Sequence, residues 1–199
     1  MNRYQAVKQL STGWAKIQAI ARIASPCQSD IPVQNATRII KVIKVLFVCT
    51  GNICRSPTAD GVFRKIVDAA GLSDQISVDS CGLSAYHVGE LADPRSREIA
   101  QSRGYDLDDI RSRKIKPGDY VQFDYILAMD DGHLRDMRRQ APAATQNKIE
   151  LFLDYHPDIA GQRVPDPYYG GENGFSHVFD MIEQTSNKLL DHIRQKHGI

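Results

Sequence analysis

Cys49 and Arg55 are separated by five residues, Thr50-Gly51-Asn52-Ile53-Cys54, and followed by Ser56-Pro57. A thiol and a guanidinium at this spacing suit chemistry on a phosphate group. A short loop of this length can curl so that successive backbone N–H groups point inward and make a nest for an anion. A helix starting where the loop ends adds its free N–H groups and its dipole. Arg55 can close the ring with a bidentate grip on two phosphate oxygens. Cys49 then sits at the bottom, aimed at phosphorus, in surroundings that favour the thiolate, the reactive form. Ser56 can donate a hydrogen bond to that sulfur. Gly51 and Asn52 both tolerate positive φ. Cysteine and arginine at this spacing also describe a buried structural cysteine beside a surface arginine, so the flanking elements must decide. A nucleotide-binding loop is excluded, because it needs Gly-x-x-x-x-Gly-Lys before Ser or Thr.

The flanking sequence supplies a strand before the loop and a helix after it. Val42-Ile43-Lys44-Val45-Leu46-Phe47-Val48 is an almost continuous apolar run, the pattern of a parallel strand buried on both faces. Ser56 as N-cap, Pro57 at the first helical position and Gly71 at the end predict a helix over about 56–70. The rhythm then repeats. Residues 76–81 read as a strand, Asp93-Pro94 opens a helix that Gly104 closes, and 123–129 read as a second buried strand. A short helix over 133–140, a strand over 148–153 and a final helix over 174–196 complete the order. Phe175, Val178, Phe179, Ile182, Leu189 and Ile193 share one face of that last helix. Alternating strands and helices predict an α/β fold, a three-layer α/β/α sandwich around a central, mainly parallel four-stranded sheet. Ligands in such folds bind beyond the carboxyl ends of the strands, which is where Cys49 lies.

The segment Val45-Leu46-Phe47-Val48-Cys49-Thr50-Gly51-Asn52-Ile53-Cys54-Arg55-Ser56-Pro57-Thr58-Ala59 resembles the nucleophile loop of the low-molecular-weight protein tyrosine phosphatases. The resemblance runs from about Val42 to the C-terminus and includes Gly89, Asp93-Pro94-Arg95-Ser96 and the stretch from Phe123 to Asp130. It implies a phosphatase acting through a cysteinyl-phosphate, with Cys49 as nucleophile, Arg55 as phosphate clamp and no metal or cofactor. Residues Thr50 to Arg55 would bind the phosphate and Ser56 would support the sulfur. Asp166, between Pro165 and Pro167, reads by itself as a turn residue; its likeness to the family's Asp-Pro loop makes it the general acid. Tyr168 and Tyr169 then resemble the aromatic wall beside a phenyl phosphate, and Tyr86 stands where relatives place another bulky aromatic, often Trp. A surface loop tyrosine is the simpler reading of Tyr86, and His87 reads as structural. Cys54 is either a small packing residue or a thiol able to form a disulfide with oxidised Cys49. Ile110 stands where many relatives carry a polar residue, often His.

Competing readings share the loop. Arsenate reductases relay a disulfide through later cysteines, and none follows Cys81 here. Phosphoarginine phosphatases tend to carry Thr at the position of Ile53, and Phe instead of paired tyrosines. A non-catalytic phosphate-binding module would lack one of Cys49, Arg55 and Asp166. Phosphotyrosine proteins are therefore the expected substrates.

Composition sets the remaining bounds. Residues 1–41 carry six basic groups and one acid, whereas the other 158 residues carry 19 basic and 23 acidic groups. A mildly acidic body without a lysine-rich stripe argues against nucleic-acid binding. No apolar run reaches the roughly 18–20 residues of a membrane span. Four cysteines, Cys27, Cys49, Cys54 and Cys81, without zinc-ligand spacing, point to a reducing, cytoplasmic setting. The organisation expected is an extension over 1–40 and a phosphatase domain over 41–199, acting as a monomer. The acid-poor extension reads as a flexible tail, an organelle-targeting peptide or a packed appendage.

Overall fold

In the computed structural model, which describes residues 41–171 and 173–199, the apolar run after Val42 forms strand β1, Ile43–Cys49. The expected extension over 1–40 lies outside the described residues. Every residue of β1 except Lys44 is buried, because the strand has neighbours on both edges and layers on both faces. It pairs in parallel with β2, Ile76–Gly82, and with β3, Tyr125–Ala128. The short β4, Ile149–Leu151, pairs in parallel with β3. The order is β2-β1-β3-β4, so the sheet is four-stranded and wholly parallel, as the sequence pattern predicts.

Alternation along β1 divides the core. Val45, Phe47 and Cys49 face helices α1, Arg55–Ala69, and α5, Gly174–His197. Phe47 meets Phe63 of α1 and Phe152 edge-on, with centroids 5.8 and 5.2 Å away. Leu46 and Val48 face the opposite layer, with Tyr120 of α3, Asp119–Gln122, and Met137 of α4, Asp131–Gln140. Helix α2, Pro94–Ser102, lies against α5. Among the described residues, no helix is long and apolar enough to cross a membrane.

Strand order reverses at β1, with β2 on one side and β3 on the other. Such a reversal opens a crevice beyond the strand's carboxyl end, at Cys49. The helix after the loop begins at Arg55, one residue earlier than expected, with Cys54 flanking it and no side-chain cap. Ser56 therefore does not cap the helix. It sits inside the first turn, where its hydroxyl is committed to the loop. Gly82, which pairs with Cys49 at the end of β2, lies directly under that loop. A Cβ at Gly82 would stand 2.7 Å from the Thr50 oxygen and 3.1 Å from the Asn52 nitrogen, both backbone atoms that cannot rotate away. Gly82→Ala is expected to lower the unfolding free energy by about 1–3 kcal/mol through overpacking. Urea denaturation measures this, and an unchanged midpoint would show that the loop moves freely over the strand end.

Candidate active site

The loop after β1 turns through Asn52, whose φ of +54° is the left-handed conformation that asparagine tolerates better than most side chains. This turn brings the Asn52 N–H 3.2 Å from Cys49 Sγ. The Ser56 hydroxyl stands 3.1 Å from the same sulfur. Asn52 Nδ2 donates to Ser56 Oγ at 2.9 Å, which leaves the serine proton free for the sulfur or for the Cys81 carbonyl at 3.3 Å. Among the described residues, the N–H groups of Gly51, Ile53, Cys54 and Arg55 make no hydrogen bond to the protein. The loop is held from outside instead: Ser112 Oγ donates to the Gly51 carbonyl at 2.9 Å, and the Arg113 N–H donates to Asn52 Oδ1 at 3.0 Å. Ile110, the departure noted in the sequence, is buried in the core, and its neighbours Ser112 and Arg113 supply the polar support.

Arg55 is 7% exposed. Its Nη1 donates to Asp130 Oδ2 at 2.9 Å and to the Val164 carbonyl at 3.2 Å. Asp130 follows β3 and caps α4, accepting from the His133 N–H at 2.9 Å. His133 Nε2 lies 2.8 Å from Thr50 Oγ1, and Nδ1 lies 3.0 Å from Asp130 Oδ1 without an aligned hydrogen bond. Burial pushes the His133 imidazole down to about 4, against the opposing pull of Asp130. Burial works against ionisation of Asp130, but the hydrogen bond from the His133 N–H and the neighbouring Arg55 guanidinium outweigh it and hold the carboxyl below its usual range. A continuous polar path thus runs from Thr50 through His133 and Asp130 to Arg55.

Asp166 lies across the opening, with Oδ2 3.9 Å from Arg55 Nη2. Its side chain caps the single helical turn Pro167–Tyr169 by accepting from the Tyr168 N–H at 3.1 Å. The loop fits against α5 because residue 174 is glycine, where a Cβ would stand 2.5 Å from the Pro167 oxygen. A cavity of about 220 Å³ is bounded by Cys49, Arg55, Asp166, Tyr86 and Tyr168. Burial pushes the Cys54 thiol up to about 12, with the nearby carboxylates of Asp93 and Asp166 adding to it.

The structure therefore gathers Cys49, Thr50, Gly51, Asn52, Ile53, Cys54, Arg55, Ser56, Asp166, Tyr86 and Tyr168 at the carboxyl end of β1. Tyr169 is 90% exposed and falls outside the cavity lining. Tyr86 lines the cavity while 91% exposed, so it stands as a rim. His87 also lines the cavity, with Nδ1 2.7 Å from Glu90 Oε2. Sequence reading passed over Asp130, His133, Ser112 and Arg113. Asp130 carried one usable signal: it is the first charged residue after a buried strand, on the same sheet edge as Cys49.

Comparison with known proteins agrees with this arrangement. Residues 44–198 match the family described as low molecular weight phosphotyrosine protein phosphatase. A low molecular weight protein-tyrosine-phosphatase of Streptomyces coelicolor is 44% identical over 156 residues, covering 77% of this chain and 94% of that protein. A low molecular weight phosphotyrosine protein phosphatase of Schizosaccharomyces pombe is 42% identical over 154 residues, covering 77% and 98%. The crystal structure of a protein tyrosine phosphatase from Entamoeba histolytica superposes with a TM-score of 0.72 at 41% identity, covering 78% of this chain and 98% of that one. The chain belongs to the low molecular weight phosphotyrosine protein phosphatase family, a family of hydrolases.

Proposed function

We propose that the site hydrolyses phosphotyrosine in proteins, and other aryl phosphates, through a cysteinyl-phosphate. The observation that carries this is a sulfur held by the Asn52 N–H and Ser56, faced by a clamped arginine and a carboxylate from a separate loop. In the first step Cys49 Sγ attacks phosphorus, the S–P bond forms and the P–O bond to the phenol breaks. Asp166 gives its proton to the departing oxygen. The loop N–H groups and Arg55 hold the equatorial oxygens as charge develops. In the second step Asp166, now a carboxylate, takes a proton from water as that water attacks phosphorus. The S–P bond breaks and inorganic phosphate leaves. Tyr168 and Tyr86 offer flat faces to the phenyl ring.

All these groups come from one chain, which supports a monomer as the active unit. The reducing, cytoplasmic setting expected from the sparse cysteines, without zinc-ligand spacing, is kept as part of this proposal. The phosphatase domain is assigned to 41–199. Cys54 is assigned as the resolving thiol for Cys49: sulfenic acid at Cys49 and the Cys54 thiol condense to a disulfide with loss of water. Peroxide-treated enzyme should regain activity with dithiothreitol and yield a Cys49–Cys54 peptide by mass spectrometry; irreversible loss without that peptide would contradict the assignment.

Hydrolysis of para-nitrophenyl phosphate without added metal, at mildly acidic pH, tests the mechanism. Cys49→Ser should abolish turnover, and Asp166→Ala should lower it about 10²–10⁴-fold. A folded, reduced wild type without activity would refute the proposal. The buried His133 gives an independent pH signature. Its folded value of about 4 lies below its unfolded value, near 6.5. Between these pH values the unfolded chain binds a proton that the folded chain refuses, so stability falls as pH drops from 6.5 towards 4. The expected loss is on the order of 3 kcal/mol, and His133→Gln should flatten it in urea titrations across that window.

A further inference from the structure

Asp93 makes three connections that no single structural task requires. Its backbone N–H donates to the Ile53 carbonyl at 2.7 Å, tying the start of α2 to the phosphate loop. Its Oδ1 accepts from the Arg95 N–H at 2.9 Å, which caps α2. Its Oδ2 accepts from the Tyr168 hydroxyl at 2.6 Å, reaching across to the loop that carries Asp166. The first of these spans 40 residues of the chain and the third spans 75.

The crossing is braced. Arg95 grips Asp93 through Nε at 3.0 Å and Nη2 at 2.9 Å. The same guanidinium lies over the Tyr168 ring at 4.6 Å and the Phe175 ring at 4.2 Å. Tyr168 is thus held at both ends. Its hydroxyl is fixed by Asp93, and its ring is covered on one side by Arg95 and meets Phe175, at the start of α5, edge-on at 5.6 Å. Its backbone N–H donates to Asp166 Oδ1 at 3.1 Å. A displacement of Tyr168 would carry the Asp166 carboxyl with it. Burial opposes ionisation of Asp93, but the bonds from Arg95 and Tyr168 prevail, so its carboxyl is held below the usual range and remains an acceptor. Burial and that bond push the Tyr168 phenol up, which keeps it a donor.

We propose that Asp93 is a positioning residue for the general acid: through the Tyr168 hydroxyl it sets the distance between the phosphate loop and Asp166. The proposal rests on the assignment of Asp166 as the acid. Its consequence is specific. Loosening the tether degrades proton delivery to the leaving oxygen without removing the phosphate cradle. Substrates with poor leaving groups suffer, while those that leave without a proton suffer less.

The experiment compares kcat/KM for phenyl phosphate and para-nitrophenyl phosphate in wild type, Asp93→Asn, Tyr168→Phe, the double variant and Asp166→Ala. This parameter reports the first chemical step even where hydrolysis of the intermediate limits turnover. Asp93→Asn keeps an oxygen for the α2 cap, and Tyr168→Phe keeps the ring and leaves that cap untouched. Both single variants should lose about tenfold more for phenyl phosphate than for para-nitrophenyl phosphate, the size expected for one charge-assisted hydrogen bond. The double variant should be no worse than either single one. Equal losses on the two substrates, or losses that multiply in the double variant, would overturn the proposal and leave Asp93 as a helix cap. If Asp166→Ala itself fails to discriminate between the substrates, the assignment of the acid falls first, and the tether falls with it.

Discussion

Several N–H groups between Gly51 and Arg55 have no partner within the described protein, and they line the cavity above Cys49, so contacts outside the loop must impose its shape. A loop in that condition would ordinarily collapse onto itself. Here it is restrained from behind by Ser112 and Arg113, from within by the Asn52–Ser56 contact, and from below by the bare backbone of Gly82. These restraints fix the donors before any substrate arrives. Preorganised donors are worth more to a developing charge than donors that must rotate into place. On the proposed mechanism an incoming phosphate dianion accepts from these N–H groups together, and that would give the loop selectivity for a tetrahedral anion. The position of Cys49 follows from this constraint. The sulfur sits at the end of a strand whose every other neighbour is packed, and it has little freedom to turn away.

The second constraint is the pairing of Arg55. A guanidinium free to rotate would be a weak clamp, since ordering it costs rotamer entropy. Asp130 and the Val164 carbonyl hold Nη1, and Asp130 is itself fixed as the cap of α4. His133 joins Asp130 to Thr50, so the arginine and the first residue of the loop after Cys49 share one polar path. The neutral imidazole matters here. A cation in that place would compete with Arg55 for Asp130 and pull the aspartate from its clamping role.

How much of this could be read in the sequence depends on the range of each interaction. The apolar run of β1, the Cys49–Arg55 spacing and the alternating order of strands and helices are local patterns, and the sheet follows from them. Asp166 was legible only through its likeness to a known loop, because two flanking prolines by themselves describe a turn. His133 and Asp93 were not legible as site residues, and Asp130 offered only its place just beyond a buried strand. Each acts on a partner 75 or more residues away, and nothing in a single sequence pairs such positions. Of the two roles expected of Ser56, the helix cap is the one the structure does not have, while its hydroxyl does stand beside the sulfur. A serine before proline at a helix start has the composition of a cap, but the demand of the Cys49 sulfur and Asn52 for its hydroxyl outweighs a local bond to the helix N-terminus. Tyr168 and Tyr169 are adjacent and chemically identical, yet the helical turn directs only the first of them to the cavity.

The two halves of the chemistry make opposite demands on mobility. The proposed phosphate loop must not move, and Asn52, Cys54 and Arg55 anchor it by being buried. On the proposed mechanism the acid must face water in one step and a leaving group in the other, and the Asp166 side chain is 41% exposed. A carboxylate on such a loop would wander by more than proton transfer tolerates, because a catalytic group must come within hydrogen-bond reach of the reacting oxygen. The fold resolves the conflict by keeping the acid exposed while anchoring the residue beside it. Gly174 lets the Pro167 carbonyl approach α5 closely, the Phe175 ring backs Tyr168, and the Arg95–Asp93 pair stops the tyrosine from swinging outward. The aromatic wall is therefore also the mechanical link that sets the acid's reach. A change in that wall should alter which leaving groups are handled well, beyond any effect on which rings bind.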